Sequence, residues 1–401
     1  MSVDVTVLVP TYNRAHYLDE CLTSLLNQSV KPRQVLVIDD GSTDRTAAVV
    51  ASYGARVGYL RQPNGGKASA LNLGLGAAVG ADIWIFDDDD IAQPDALRLL
   101  HTALHQAPAA GFAFGHYSNF SDSPDGVRTL TTVPAPRFEA ADLTCALLER
   151  CFVFQAAMLV RRSLYDEVGG FDTSFVRAQD YEMLSRLVRH SEGVHVPEVV
   201  FLQRQHGETR GTALHQIDGA TVWEKQKAFD AQVLDKVHRN FPLRSYLPHP
   251  APEAELTPRQ TVDALLRRAA VMARKKLWDL AGDDIEEAAG LAGRHGIAAP
   301  GTAETAMLRR VFDEHGYARD DLGAGNLLLR RVEALPESPF RKALMANLSW
   351  PVFRYGLLAV RQGQLRQARG FLELYRGLGG SALLPAHLSR LMGSVVGSRA
   401  G

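Results

Sequence analysis

Ile83-Trp84-Ile85-Phe86-Asp87-Asp88-Asp89-Asp90-Ile91 is a short apolar run that ends abruptly in four consecutive carboxylates. A run of this kind, rich in Ile and aromatics, has the pattern of a buried strand. Four adjacent like charges repel one another unless a cation or solvent compensates them. In an open α/β sheet, ligands bind at the carboxyl ends of the strands. Side chains alternate along an extended chain, so Asp87 and Asp89 are expected on one face and Asp88 and Asp90 on the other. One pair then shares a hard divalent ion. A solvated acidic loop is the other reading of four carboxylates taken alone, and the flanking sequence decides between the two.

Upstream, Val3 to Val9 is nearly continuous β-branched and apolar sequence, as in a strand covered on both faces. Pro10-Thr11-Tyr12-Asn13-Arg14 breaks it, and Leu18, Cys21, Leu22, Leu25 and Leu26 then recur at helical spacing. Val35 to Ile38 reads as a second strand running into Asp39-Asp40-Gly41-Ser42-Thr43-Asp44, where Ser42 or Asp44 suits a helix cap. A short strand at Val57 to Leu60 precedes Gln62-Pro63-Asn64-Gly65-Gly66-Lys67. The glycines there allow close backbone approach to a ligand, and the helix from about Ala68 to Val79 places the loop at an anion-favouring N-terminus. Alternating strands and helices imply a parallel sheet whose polar exits converge on one edge. The aromatic and acidic residues Tyr12, Asp39 and Asp40, the cation Lys67 and the carboxylates Asp87 to Asp89 match the base, diphosphate and divalent ion of a nucleotide. Neither G-x-G-x-x-G nor G-K-[ST] occurs at a strand exit, so a different nucleotide fold is implied.

Composition narrows the class. At ~150 residues per domain, 401 residues imply two or three domains. Lys plus Arg number 44 against 45 Asp plus Glu, a net charge of -1, so no global field points to nucleic acid. Cys21, Cys145 and Cys151 lack metal-ligand spacing and are an odd set, which fits a reducing compartment. No secretory signal is visible and no window reaches the ~18 apolar residues of a membrane span, so the expectation is a cytoplasmic protein.

The segments Pro10 to Arg14, Val37-Ile38-Asp39-Asp40-Gly41-Ser42-Thr43-Asp44, Asn64-Gly65-Gly66-Lys67-Ala68-Ser69-Ala70-Leu71-Asn72 and Phe86 to Pro94 resemble, in order, the four signatures of the family 2 glycosyltransferases. Each is common alone, and the ordered set is specific. The resemblance implies that Tyr12 and Asp40 hold the nucleotide base. It also implies that Asp87 and Asp89 contact the ribose and the divalent metal bridging the diphosphate, with Asp88 assisting. The nucleotide-binding set implied in this way comprises Pro10, Thr11, Tyr12, Arg14, Asp39, Asp40, Gly66, Lys67, Asp87, Asp88 and Arg204. The metal set comprises Asp89, Asp87 and His206.

Farther along, Phe112 to Tyr117 reads as a strand, and Phe152 to Arg162 is an apolar run that leads to Val168. Val168-Gly169-Gly170-Phe171-Asp172 and Ala178-Gln179-Asp180-Tyr181-Glu182 also resemble the family, the second being its acid-base motif. An inverting transfer needs a carboxylate to take the acceptor hydroxyl proton, and Asp180 is assigned that role over its competing role as a helix N-cap. The family usually shows Glu-Asp where this chain has Gln179-Asp180. That change lowers the basicity of Asp180, so either the acceptor site differs or activity is reduced. Val196 to His206 resembles the strand and Arg-x-His ending of the catalytic domain, with Arg204 on phosphate and His206 on the metal or the leaving diphosphate. Gly207 to Gly219 reads as a lid.

A cluster of prolines at Pro242, Pro248, Pro250 and Pro252 places a domain boundary, giving a catalytic domain at 1–245 and a helical domain at 246–401. The resemblance covers about residues 3–210. Helical patterns begin at Thr257-Pro258 and only loosely resemble tetratricopeptide pairs. Arg267, Arg268, Arg274, Lys275 and Lys276, with Arg354, Arg361, Arg366 and Arg369, read first as solvated faces and second as peripheral contact with anionic lipid or a phosphorylated acceptor.

The expected fold is therefore α/β, an A-type glycosyltransferase (a Rossmann-like mixed sheet flanked by helices) followed by an all-α C-terminal domain. The expected reaction is inverting transfer of a hexosyl or N-acetylhexosaminyl group from a UDP-sugar, with dTDP offering the same edge, to a glycan or lipid-linked saccharide, with Mg2+ or Mn2+. A non-catalytic nucleotide-sugar-binding protein would tolerate loss of Asp180. A nucleotidyltransferase making sugar nucleotides would carry a glycine-rich basic loop after its first strand, which Pro10 to Arg14 lacks.

Overall fold

The computed structural model describes residues 2–123, 125, 127–133, 138–206, 222–248, 254–312, 322–377, 383–385, 387 and 388. The segment read as a lid, 207 to 219, lies outside them. The chain forms two compact units, Met1–Glu139 with Cys151–Phe229, and Ala140–Arg150 with Asp230–Gly401.

In the first unit β1 (Ser2–Thr11), α1 (Ala15–Leu26), β2 (Lys31–Asp39), α2 (Thr46–Ser52), β3 (Gly58–Arg61), α3 (Lys67–Ala77) and β4 (Asp82–Ile85) follow the expected alternation. Next come β5 (Ile91–Ala92), α4 (Ala96–Gln106), β6 (Ala110–Asp122) and β7 (Arg128–Thr132). The segment α5 (Leu143–Glu149) belongs to the second unit, and β8 (Met158–Arg161), α6 (Arg162–Val168), α7 (Gln179–His190) and β9 (Glu192–Arg204) complete the first. The strand order is β3-β2-β1-β4-β8-β6-β9-β5, with β7 on β6. Strands β1 to β4 are mutually parallel, whereas β8 runs antiparallel to both β4 and β6, so the sheet is mixed.

The β-branched runs become strands because both faces of the sheet are covered. Val5, Val7 and Val9 pack in one buried cluster with Trp84, Phe86, Leu18 and Leu22 of α1 and Leu97 and Leu100 of α4. Burying each such side chain contributes about 1.5–3 kcal/mol. The Trp84 indole N–H donates to the Ala156 carbonyl at 2.9 Å, so the one polar atom of this large side chain is satisfied inside the core.

One expectation about the acidic stretch is overturned here. β4 stops at Ile85, and Asp87–Asp90 forms a turn in which the Asp90 N–H reaches the Asp87 carbonyl at 3.3 Å. Alternation holds only for extended chain. The side chains of Asp88 and Asp89, expected on opposite faces, both reach the same Arg14 nitrogen.

The second unit holds the end of α8 (Val222–Asn240), then α9 (Pro258–Arg274), α10 (Trp278–Arg294), α11 (Thr302–Leu308), α12 (Leu322–Ala334), α13 (Pro339–Arg361) and α14 (Leu365–Gly377). α9 starts as read, with a Thr257–Gln260 capping box and Pro258 in the first turn. Of the basic residues, Arg354, Arg361, Arg366 and Arg369 are exposed as expected, but the run that starts in α9 is not a solvated face. Arg267, Arg274 and Lys275 are 2%, 3% and 6% exposed. Arg267 binds Glu304 at 2.5 Å and Asp142 at 2.6 Å, Lys275 binds Asp230 at 2.8 Å, and Arg268 binds Asp284 at 2.6 Å. Buried charges are kept only when paired, and the acids that pair them are remote in sequence. Among the described residues no helix is long and apolar enough to cross a membrane.

Candidate active site

The loops after β1, β2 and β3 and the turn after β4 gather at the carboxyl ends of the parallel strands, where such sheets bind ligands. After β1, the buried Pro10 and Thr11 finish the strand, and the Thr11 carbonyl accepts the Asp40 N–H at 2.9 Å. Tyr12 is half-buried at this exit, and Asn13 takes a left-handed φ of 55°. Asn is among the residues that tolerate that conformation. The Asn13 side chain accepts the Thr43 N–H at 2.7 Å, and its own N–H donates to Ser42 Oγ at 2.9 Å, which joins the first two loops.

The two aspartates after β2 do different work. Asp39 is 1% exposed and accepts the Ser42 N–H at 2.7 Å and the Tyr59 hydroxyl at 2.5 Å. Burial, reinforced by Asp39, pushes the Tyr59 phenol up to about 12, so it stays a donor. Asp40 reads the glycine loop: Oδ1 accepts from Gln62 Nε2 at 2.7 Å and the Gly65 N–H at 2.8 Å, and Oδ2 accepts the Gly66 N–H at 2.8 Å. Gly66 sits at φ 87°, a conformation that favours glycine. A carboxylate has about four acceptor positions. Asp40 therefore keeps one, on Oδ2, beyond the loop it holds.

The acidic turn is met by two cations and an imidazole. Arg14 donates to Asp88 at 3.2 Å and to Asp89 at 2.6 Å, Lys67 donates to Asp87 at 2.5 Å, and His206 Nε2 lies 2.9 Å from Asp89 Oδ2. Burial pushes the Asp88 carboxyl up to about 6, against the opposing pull of Arg14. Oxygen-rich and negatively charged, this turn fits a hard divalent cation such as Mg2+ or Mn2+. Asp89 and His206 meet, while Asp87 faces Lys67 instead.

Arg204, expected on phosphate, lies between the Tyr17 and Phe120 rings, 4.7 and 4.5 Å from their centroids. Its Nε donates to the Asp89 carbonyl at 2.9 Å, one terminal nitrogen binds Asp122 at 2.5 Å and the other binds Glu20. Its backbone N–H donates to Asp90 at 2.9 Å. In this arrangement Arg204 holds the shape of the acidic turn.

Asp180 is not the N-cap of α7. Ala178 precedes the helix at a left-handed φ of 56°, so Asp180 falls inside the first turn, with its Oδ1 accepting the Tyr181 N–H at 2.9 Å. Non-glycine residues held at positive φ concentrate at functional sites. Burial raises the Asp180 carboxyl above its ordinary value, more than the nearby Lys67 ammonium lowers it. Burial alone would depress Lys67, but Asp87 and Asp180 together hold it raised. One ammonium thus couples the assigned base to the acidic turn.

Two supports went unread in the sequence. Asn72 of α3 takes the Phe171 N–H at 2.7 Å and donates to the Phe171 carbonyl at 2.9 Å, pinning the loop that leads to Asp180. Arg186 binds Glu182 at 2.8 Å and the carbonyls of Val168, Gly169 and Gly170. The Glu182–Arg186 spacing of four on a helix was the available signal for the second; for Asn72 it was only the place of the residue in its motif. A Cβ at Gly170 would lie 2.6 Å from Asn72 Oδ1. Gly170→Ala is therefore expected to break the Asn72–Phe171 pair at a cost of ~1–3 kcal/mol, measured by denaturant unfolding. Unchanged stability would show that the loop is not held this way.

Residues 6–169 match the family described as glycosyl transferase family 2. A chondroitin synthase of Pasteurella multocida (strain Pm70) is 31% identical over 220 residues, 53% of this chain and 22% of the synthase. An uncharacterized glycosyltransferase of Rickettsia prowazekii (strain Madrid E) is 28% identical over 218 residues, covering 53% of this chain and 68% of that protein. The chain thus spans about a fifth of the synthase it matches. The crystal structure of TarS from S. aureus has the same fold, with a TM-score of 0.50 at 16% identity, over 92% of this chain and 55% of that one.

Proposed function

Residues 6–169 belong to glycosyl transferase family 2, and from that premise we propose that this chain transfers a sugar, with inversion, from a nucleotide diphosphate sugar to a hydroxyl of a glycan or lipid-linked acceptor. The observation that supports the reading is the Lys67–Asp87 ion pair at 2.5 Å, with burial raising the nearby Asp180 carboxyl above its ordinary value. In this reading Asp180 takes the proton of the acceptor hydroxyl as its oxygen attacks the anomeric carbon. Lys67 and Arg14 turn from the carboxylates toward the diphosphate as its charge arrives. A divalent ion held by Asp89, Asp87 and His206 would supply charge neutralisation of the diphosphate.

UDP is the favoured donor nucleotide. The acceptor position left on Asp40 suits an imide N–H of uracil, and Tyr12 at the same exit offers a ring face. The kinship with a polysaccharide synthase supports a saccharide acceptor. Gln179 Oε1 is buried without a hydrogen-bond partner. Such an oxygen costs about 1–3 kcal/mol, and a donor group on the acceptor would satisfy it.

Calorimetric or thermal-shift titration with UDP, GDP, dTDP and CDP, each with and without Mn2+, tests the proposal. Tight metal-dependent binding of a uridine or thymidine diphosphate is the expected result. Equal binding of all four, or none with or without metal, would overturn the donor assignment.

A further inference from the structure

The sheet carries a second group of metal-ligating side chains, at the end opposite its acidic turn. Asp82 opens β4, whose other end leads into Asp87–Asp90. His101 and His105 lie four residues apart near the C-terminus of α4, which places them one above the other on a single helix face. Their rings stack with centroids 4.1 Å apart and planes inclined by 27°. Asp82 Oδ2 is 2.8 Å from His105 Nε2. One ligand atom from each of the three residues lies within 4.8 Å of the others.

The chemistry of this group differs from that of the turn. Two imidazoles and one carboxylate on a rigid strand and helix form the N2O set that Zn2+ accepts in tetrahedral sites, with water in the fourth position. The turn offers mainly carboxylate oxygens, with the single imidazole of His206, and such oxygen-rich sets suit Mg2+ and Mn2+ instead. The Asp82 side chain is 3% exposed and fixed by its strand, while His105 is 45% exposed, so the group is anchored inside and open outside. The last turn of α4 presents the negative end of its dipole, which favours a cation. Arg161 is the neighbouring positive group, and its guanidinium is turned to the carbonyls of Ala110 and Leu104 at 2.9 and 3.0 Å.

We propose that Asp82, His101 and His105 form a Zn2+ site that ties the C-terminus of α4 to the start of β4, separate from the hard-cation site of the acidic turn. Zn2+ and Mn2+ would then sort between two ends of one sheet by ligand type. The inference does not depend on the transfer reaction.

The test uses the full chain stripped with chelator and titrated with ZnCl2 by calorimetry, with Co2+ as a visible-absorbing substitute. One Zn2+ per chain, tetrahedral Co2+ bands and a raised Tm with Zn2+ are expected. All three should persist in Asp89→Ala. Both His105→Ala and His101→Ala should weaken Zn2+ binding by ~10-fold or more. His101→Ala leaves the Asp82–His105 hydrogen bond in place, which keeps the test open if His105→Ala fails to fold. Zn2+ binding that survives both histidine changes, or that disappears in Asp89→Ala, would place the ion elsewhere and overturn the proposal.

Discussion

Asp180→Asn is expected to abolish sugar transfer while donor binding survives. A positioned general base contributes ~10²–10⁴-fold to rate. Asn keeps the shape and can still accept the Tyr181 N–H that Oδ1 now takes at 2.9 Å, but it cannot take a proton. The acid limb of the rate profile of the unsubstituted protein follows from the direction of the shift. Asp180 works as a base only when ionised, and burial raises its pKa, so transfer should fail at a higher pH than an ordinary aspartate would set. Stability moves the opposite way. With a folded-state pKa above the unfolded one, the folded chain binds this proton more tightly, so the residue stabilises at low pH and that contribution is lost as pH rises through the folded value. At neutral pH the Asn variant should therefore melt no lower than the parent. Turnover of donor and acceptor at the parental rate in Asp180→Asn would remove it from the base role.

Asp89→Ala is expected to eliminate metal-dependent nucleotide binding, with an affinity loss of more than ~100-fold, since even outer-shell partners of a metal are worth 10–100-fold. Asp89 Oδ2 is where Arg14 and His206 converge, at 2.6 and 2.9 Å. Without that carboxylate Arg14 and His206 lose their shared partner. The Asp89 carbonyl still holds Arg204, so the turn should keep its path and the variant should fold. Manganese-dependent UDP binding at parental affinity would disprove the metal assignment while leaving Asp180 untouched, so the two substitutions report on separate halves of the site.

The order of strands and helices in the first unit was legible because each strand is a β-branched apolar run and each exit is marked by Pro, Gly or paired acids. Tyr12, Asp40 and the acidic turn were legible as candidates because each closely follows the end of a strand, and Lys67 because it follows a glycine loop into α3. What could not be read depends on distant partners. Arg204 pairs with Asp122 and Glu20, which lie 82 and 184 residues away in the chain. Lys275 pairs with Asp230, and Arg267 with Asp142 across 125 residues, so a run of basic residues looked solvated when it was internal. The geometry of the acidic turn was missed for a local reason. Nothing in a string of aspartates says where a strand stops hydrogen bonding, and the end of β4 at Ile85 turned an alternating pattern into a convergent one.

The helical unit takes one of its pieces from the middle of the chain. Residues Ala140–Arg150 belong to it, with Leu143, Cys145, Leu147 and Leu148 buried, the Cys145 thiol donating to the Tyr246 carbonyl at 3.3 Å and Asp142 and Glu149 paired to arginines 267 and 310. A sequence in which one unit interrupts another cannot be cut and rejoined as beads on a string. A gene truncated after the first unit would still encode α5 and strand its apolar face, and a helical unit transplanted to a new catalytic partner would arrive without its first helix. The helical unit therefore cannot be taken whole by cutting the chain at any single point.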